Sequence, residues 1–199
     1  MSNLGPWKPL SPAEAASVLQ GLAASWWIAG GWAIDAFLGH QTRDHADLDF
    51  AALRRDQFVV REHLADWDLH AAVGDGRLRP WAVGEELPIS VHDIWCRRNE
   101  SSGWNMQLML EDAEEDTWLF RRDHRVKRPL ASLVQTIDAI PYLSVEIQLL
   151  YKARDHSIDK NHADWLSSAS RLTIDQRSWL KNALTVAHPN HPWLASLEA

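Results

Sequence analysis

The sequence predicts an α+β fold, a small mixed sheet with flanking helices followed by a helical C-terminal part. Three observations predict it. Short apolar or alternating runs, separated by Gly- and Asn-rich turns, fill the chain from about residue 26 to 120 and read as strands. From Pro129 onward the apolar period becomes helical. Two capping-box signatures, Ser11-Pro12-Ala13-Glu14 and Thr173-Ile174-Asp175-Gln176, mark helix starts near the two ends. The 199 residues suit one domain or one domain with a helical appendage. We divide them into an αβ part, 1–128, and a helical part, 129–199.

Each element follows from local chemistry. Ser11 caps a helix and Pro12 suits its first turn, so a helix is expected to about Ala24. Trp26 to Ala29 is a short apolar strand. Gly30-Gly31 turns it into a helix of roughly two turns, closed by Gly39. Ala46 to Leu53 is an acidic strand. Asp56 to Asp66 is helical, with Phe58, Val59, Leu64 and Ala65 as its stripe. Trp67–Val73, Leu78–Val83, Ile89–Arg97, Trp104–Leu110 and Thr117–Phe120 are strands, with Gly74-Asp75-Gly76 and Asn99–Gly103 as turns. The second turn predicts a hairpin of Ile89–Arg97 with Trp104–Leu110. Leu130–Ile137, Ser144–Asp155 and Lys160–Ser168 are helical segments. Thr173 opens a helix to about Val186, and Pro189 and Pro192 end regular structure.

Composition narrows the function. The chain is 46% hydrophobic and 24% charged, as in ordinary soluble domains. A formal net charge of −7 disfavours a nucleic-acid partner and suits a small, even cationic, substrate. The single Cys96 excludes an internal disulfide and a Cys-rich zinc site. No apolar run reaches membrane-span length and no signal segment opens the chain, so a cytoplasmic location is expected. The 12 Trp suit packing, a homodimer interface or an aromatic pocket wall.

The chemistry concentrates between Ile28 and Leu53. On one strand, Asp47 and Asp49 point to the same side, with Cα atoms about 6–7 Å apart. Two such carboxylates repel and call for a cation; hard oxygen ligands suit Mg²⁺, held by one or two carboxylates plus substrate phosphates. Gly30-Gly31 lets backbone approach a phosphate at a helix N-terminus. Together they point to a site for a metal-bound nucleoside triphosphate.

Gly30, Gly31, Trp32, Asp35, Gly39, Arg43, His45, Asp47 and Asp49 stand in a pattern that resembles the DNA polymerase β-like nucleotidyltransferases. Within them it is most similar to the lincosamide nucleotidyltransferases and aminoglycoside 2″-adenylyltransferases. The stretch Ile140–Trp165, with Gln-Leu-Leu on a helix and a later Asp, carries a second resemblance. What this implies is a polymerase β-like fold and Mg²⁺-dependent transfer of AMP, or another nucleoside monophosphate, from ATP to a hydroxyl of a small molecule. An antibiotic acceptor is what the resemblance suggests, lying between the sheet and the helical tail. It assigns phosphate to Gly30 and Gly31 and metal to Asp47 and Asp49. Arg43 and His45 either contact phosphate or orient the acidic strand. Lys152 either meets the triphosphate or is a surface lysine.

The third carboxylate is ambiguous. Asp93 supplies an acid on one strand, whereas the alternative alignment puts Gln107 at the family's acidic position. If the hairpin forms, both share a face. A Gln cannot accept a proton as a carboxylate does, and we take Asp93 as the acid that assists the acceptor. Two other readings remain: a toxin–antitoxin type nucleotidyltransferase acting on protein or tRNA, and a non-catalytic nucleotide-binding module. The Arg121–Arg128 cluster reads as a connector, Asp112–Asp116 as a hairpin tip, His156 and His162 as surface residues, and Cys96 as core.

Overall fold

The computed structural model describes residues 4–197. Its elements are α1 (Pro12–Val18), β1 (Trp26–Ile28), α2 (Gly30–Leu38), β2 (Asp49–Leu53), α3 (Gln57–His63), β3 (Asp68–Ala72), β4 (Leu78–Pro80), β5 (Asp93–Arg97), β6 (Met106–Glu114), β7 (Thr117–Leu119), β8 (Lys127–Pro129), β9 (Val134–Ile137), β10 (Ile140–Leu143), α4 (Val145–Ala153), α5 (Asp159–Ala169), α6 (Ile174–Ala187) and α7 (Trp193–Ser196). The sheet runs β4-β3-β5-β6-β2-β1-β10-β9, with β7 and β8 paired off the end of β6. It is mixed: β2 lies parallel to β6 and antiparallel to β1, and β1 lies parallel to β10. The α+β expectation holds.

Local signals place many boundaries. Ser11 and Glu14 form a reciprocal capping box on α1, and Thr173 and Gln176 do the same on α6. Gly39 takes a left-handed φ of 79° and closes α2. The predicted hairpin forms as β5 against β6, pairing Asp93 with Met109 and Trp95 with Gln107. Helix α1 stops short of Ala24, because the chain turns out through Gly21 at φ +81°.

Two expectations need correcting. Leu130–Ile137 is not a helix. It is a 3-10 turn, Leu130–Ser132, followed by β9. Asp138 and Ala139 both take positive φ, 49° and 63°, and make a two-residue hairpin that pairs Ile137 with Ile140. Strand β10 then enters the sheet beside β1, pairing Tyr142 with Ile28. Sheet structure therefore runs on to Leu143 before the helices begin. The acidic strand is also shorter than expected: β2 begins at Asp49, and Asp47 lies in the segment leading into it.

Strand β2 is buried on both faces, whereas burial alternates along β5, β3 and the first half of β6. Phe50, Leu108, Ile94, Cys96 and Leu69 face a dry core. Gln107, Asp93, Trp95, Arg97, Asp68 and His70 alternate with core residues on β6, β5 and β3 and are only half-buried. Among the described residues no helix is long and apolar enough to cross a membrane.

Candidate active site

The site is built where β1 ends. The Ala29 N–H donates to the Asp49 carbonyl at 2.9 Å, which ties the turn to the first residue of β2. Gly30 follows at φ +67°, and a Cβ there would fall 2.2 Å from Asp49 Oδ2. A Cβ on Gly31 would fall 2.4 Å from the His45 ring and 2.6 Å from an Arg43 nitrogen. No side chain fits either place, so both glycines follow from close approach. The Gly30 N–H donates to Gln148 Oε1 of α4 at 2.8 Å. The next amides of α2 have no intrahelical partner by helix geometry, and they carry the positive end of its dipole.

A chain of polar contacts braces this turn. His45 Nε2 meets Asp35 Oδ2 at 2.5 Å, both side chains being buried. Thr42 donates its N–H and its hydroxyl to Asp35 Oδ1. Arg43 reaches His45 Nδ1 at 3.1 Å and Asp164 on α5 at 3.3 Å. Asp164 in turn holds Lys152 Nζ of α4 at 2.7 Å, and Lys152 also donates to Asn161. The Trp32 ring covers His45, with centroids 4.4 Å apart. Arg43 and His45 are thus tied to Asp164 and Asp35 in this arrangement, and Lys152 is buried rather than a surface lysine.

The carboxylates line up on the sheet. Asp49 pairs with Gln107 across β2 and β6. Gln107 Nε2 donates to Asp93 Oδ1 at 3.4 Å, so the two share a face as the hairpin predicted. Gln107 is the direct neighbour of Asp49, and Asp93 stands one strand further out. Burial pushes the Asp49 carboxyl up to about 7, and the nearby charges of Asp47 and Asp93 push the same way; Lys152 and Lys160 act against them. A cation beside these acids would favour their charged forms. Among the described residues no group of three or more His, Cys, Asp or Glu is placed to hold a metal. Carboxylate oxygens such as those of Asp47 and Asp49 are hard ligands of the kind that fit Mg²⁺.

Sequence reasoning missed Asp164, Lys160 and the capping role of Gln148. A signal was present: Gln148–Lys152 and Lys160–Asp164 are each spaced four apart, one face of a helix. Cys96 is core as expected, its thiol pushed up to about 12 by burial. Arg122 and Arg128 are tied to α4 through the Tyr151 carbonyl and Glu146, so the basic cluster is more than a solvated connector. Asp112 pairs with Arg54 at 2.7 Å and is no hairpin tip. His162 is exposed as expected, whereas His156 is half-buried against His191, with ring centroids 4.6 Å apart. A cavity of about 610 Å³ opens between Trp26, Leu53, Asp56 and Leu130, at the end of β1 and β2 away from the acids.

The crystal structure of the lincosamide antibiotic adenylyltransferase LnuA, lincomycin-bound, superimposes with a TM-score of 0.53 at 17% identity, covering 80% of this chain and 95% of that one. The crystal structure of ANT(2″)-Ia in complex with adenylyl-2″-tobramycin gives 0.52 at 14% identity, covering 87% and 94%. The solution structure of ANT(2″)-Ia gives 0.53 at 15%, covering 94% and 92%. These likenesses show a shared fold. No curated protein sequence matches the chain. The model of the aminoglycoside-2″-adenylyltransferase family matches residues 13–166, a span that holds the glycine turn, both acids of the 47–49 pair, Asp93, Gln107, Lys152 and Asp164. This chain therefore belongs to the aminoglycoside-2″-adenylyltransferase family, a family of nucleotidyltransferases.

Proposed function

We propose that the protein transfers AMP from MgATP to a hydroxyl of a small antibiotic, an aminoglycoside or a lincosamide. The observation that carries this is the approach of Asp49 to Gly30, close enough that no Cβ fits there, which sets a crowded carboxylate beside the N-terminus of α2. The antibiotics bound to the solved relatives, lincomycin and adenylylated tobramycin, support the acceptor class.

Asp47 and Asp49 would hold Mg²⁺, which when bound supplies charge neutralisation at the triphosphate and at the leaving pyrophosphate. Lys152 and Lys160, whose charges reach Asp49, add positive potential on the phosphate side. The α2 N-terminus orients the phosphates. The acceptor oxygen attacks the α-phosphorus, a new P–O bond forms, and the bond to pyrophosphate breaks. The hydroxyl proton leaves to the Asp93 carboxylate directly or through water, because Gln107 cannot take it.

The test is pyrophosphate release from MgATP in the presence of tobramycin or lincomycin. Compound-dependent release is expected, and Asp49→Asn should lower it by about 10³-fold with the fold intact by circular dichroism. Gln107 favours a second reading, a nucleotide-binding module without catalysis. Tight MgATP binding with no release for either compound would select it.

A further inference from the structure

The cavity at the far end of β1 and β2 has no part in the transfer reaction. Its volume of about 610 Å³ is within the range of small-molecule sites. Leu53 lines it and closes the strand that Asp49 opens, so the cavity lies about 13 Å along β2 from that acid. Its lining includes neither glycine of the turn, and none of Asp47, Asp93, Gln107 and Lys152.

The wall is apolar and the rim is charged. Trp27, Leu53 and Leu133 are buried in the wall, and Trp26 is half-buried beside them. Trp27 is only 3% exposed, and its indole Nε1–H has no acceptor among the described residues. Buried donors in folded proteins are nearly always paired, so an orphan on a cavity wall points to a further molecule there. The charged residues of the lining are Arg55, Asp56 and Asp116. Arg55 is engaged, donating to the Glu115 carbonyl at 2.5 Å. The side chains of Asp56 and Asp116 take no hydrogen bond or ion pair among the described residues, and Asp56 does not cap α3. Two unpaired carboxylates against one engaged guanidinium leave the rim net negative. An anion would be repelled there, and a neutral apolar molecule would leave both carboxylates unpaired. A cation on an apolar body suits the rim by its charge and the indoles by its body and by cation–π attraction.

We infer that this cavity is a second binding site, separate from the acids, and that it takes a small hydrophobic amine in its protonated form. The ammonium group lies at the rim with Asp56 and Asp116, and the apolar body lies against Trp26 and Trp27. The site uses no residue of the transfer reaction, so the inference stands apart from that reading.

Phenethylammonium is the probe that tests it, with neutral 2-phenylethanol, of matched shape, as its control. In protein labelled with 5-fluorotryptophan, the Trp26 resonance, identified by its absence in Trp26→Phe, should shift saturably as the amine is added. The alcohol should bind about 10-fold or more weakly. Asp56→Asn and Asp116→Asn together should weaken the amine about 10-fold and leave the alcohol unchanged, with the fold intact by circular dichroism. Asp49→Asn should leave the amine's affinity within about twofold of wild type, which separates this site from the acids at the glycine turn. A Trp26 resonance that ignores the amine would overturn the inference. So would equal affinity for amine and alcohol, full amine affinity in the double variant, or loss of amine binding in Asp49→Asn. None of these results bears on pyrophosphate release, so the transferase reading is tested separately.

Discussion

The two sides of Asp49 are built differently. On the side of the glycine turn, Gly30 and Gly31 leave no room for a Cβ, and Asp35, His45, Arg43, Asp164 and Lys152 are linked contact to contact. On the sheet side, Gln107, Asp93 and Trp95 are half-buried and are placed by strand register, with Trp7 and Trp104 packed on Trp95. The first is a closed polar brace and the second an open platform. The difference teaches that a constant part of a reaction can be held by a rigid local motif. Side chains on the open side can change without disturbing the core behind them.

Substitutions on each side should separate the two roles. The largest effect on turnover in this comparison is expected on the open side. Asp93→Asn should lower kcat for pyrophosphate release about 10²-fold while leaving KM for MgATP unchanged. A rise in nucleotide KM instead would move Asp93 to the phosphate side. On the closed side, Asp164→Ala leaves buried Lys152 without its carboxylate. Removal of one partner from such a pair costs about 3–5 kcal/mol. Urea unfolding should show that loss, and nucleotide KM should rise with it. A variant as stable as wild type would mean that the brace is not what holds the turn.

The pH dependence of stability reads the crowding at Asp49 itself. Its carboxyl sits at about 7 in the folded chain against an ordinary 3.8. Between those values the folded state keeps a proton that the unfolded state has lost. This group therefore destabilises the metal-free protein progressively as pH rises from about 4 to 7, and no further above that. The gap in Tm between Asp49→Asn and wild type, measured in EDTA, should widen over that range and then level off. Each kcal/mol corresponds to about 2–4 °C for a chain of this size. A gap that stays flat across the range would mean that Asp49 is not crowded. The smallest effect is expected away from both sides. Thr173→Ala removes the α6 cap and should cost about 1 kcal/mol in urea unfolding with turnover unchanged.

Much of this architecture was legible in short stretches. Ser11 with Glu14, Thr173 with Gln176, and Gly39 after Leu38 act through contacts a few residues apart, and each forms as read. The β5–β6 hairpin was legible because Asn99–Gly103 breaks two alternating runs. The β9–β10 hairpin was not. Ala139 takes a positive φ that an alanine side chain disfavours, and only pairing within the sheet holds it there. Residues 134–137 carry Val, Thr and Ile, which suit a strand, but the helical period that follows masked them.

By itself the sequence determined the glycine turn, the acids at 47 and 49, and the caps that start the helices. These depend on backbone freedom, charge and hydrogen bonds within a few residues. Only the tertiary structure decided that Gln107 rather than Asp93 adjoins Asp49, and that Asp164 gathers Arg43 and Lys152 from different elements. It also decided that Trp95 falls in the row of the acids. The reason is physical: which strands pair, and in what register, follows from burying one whole face of the sheet at once, and no local pattern encodes that sum.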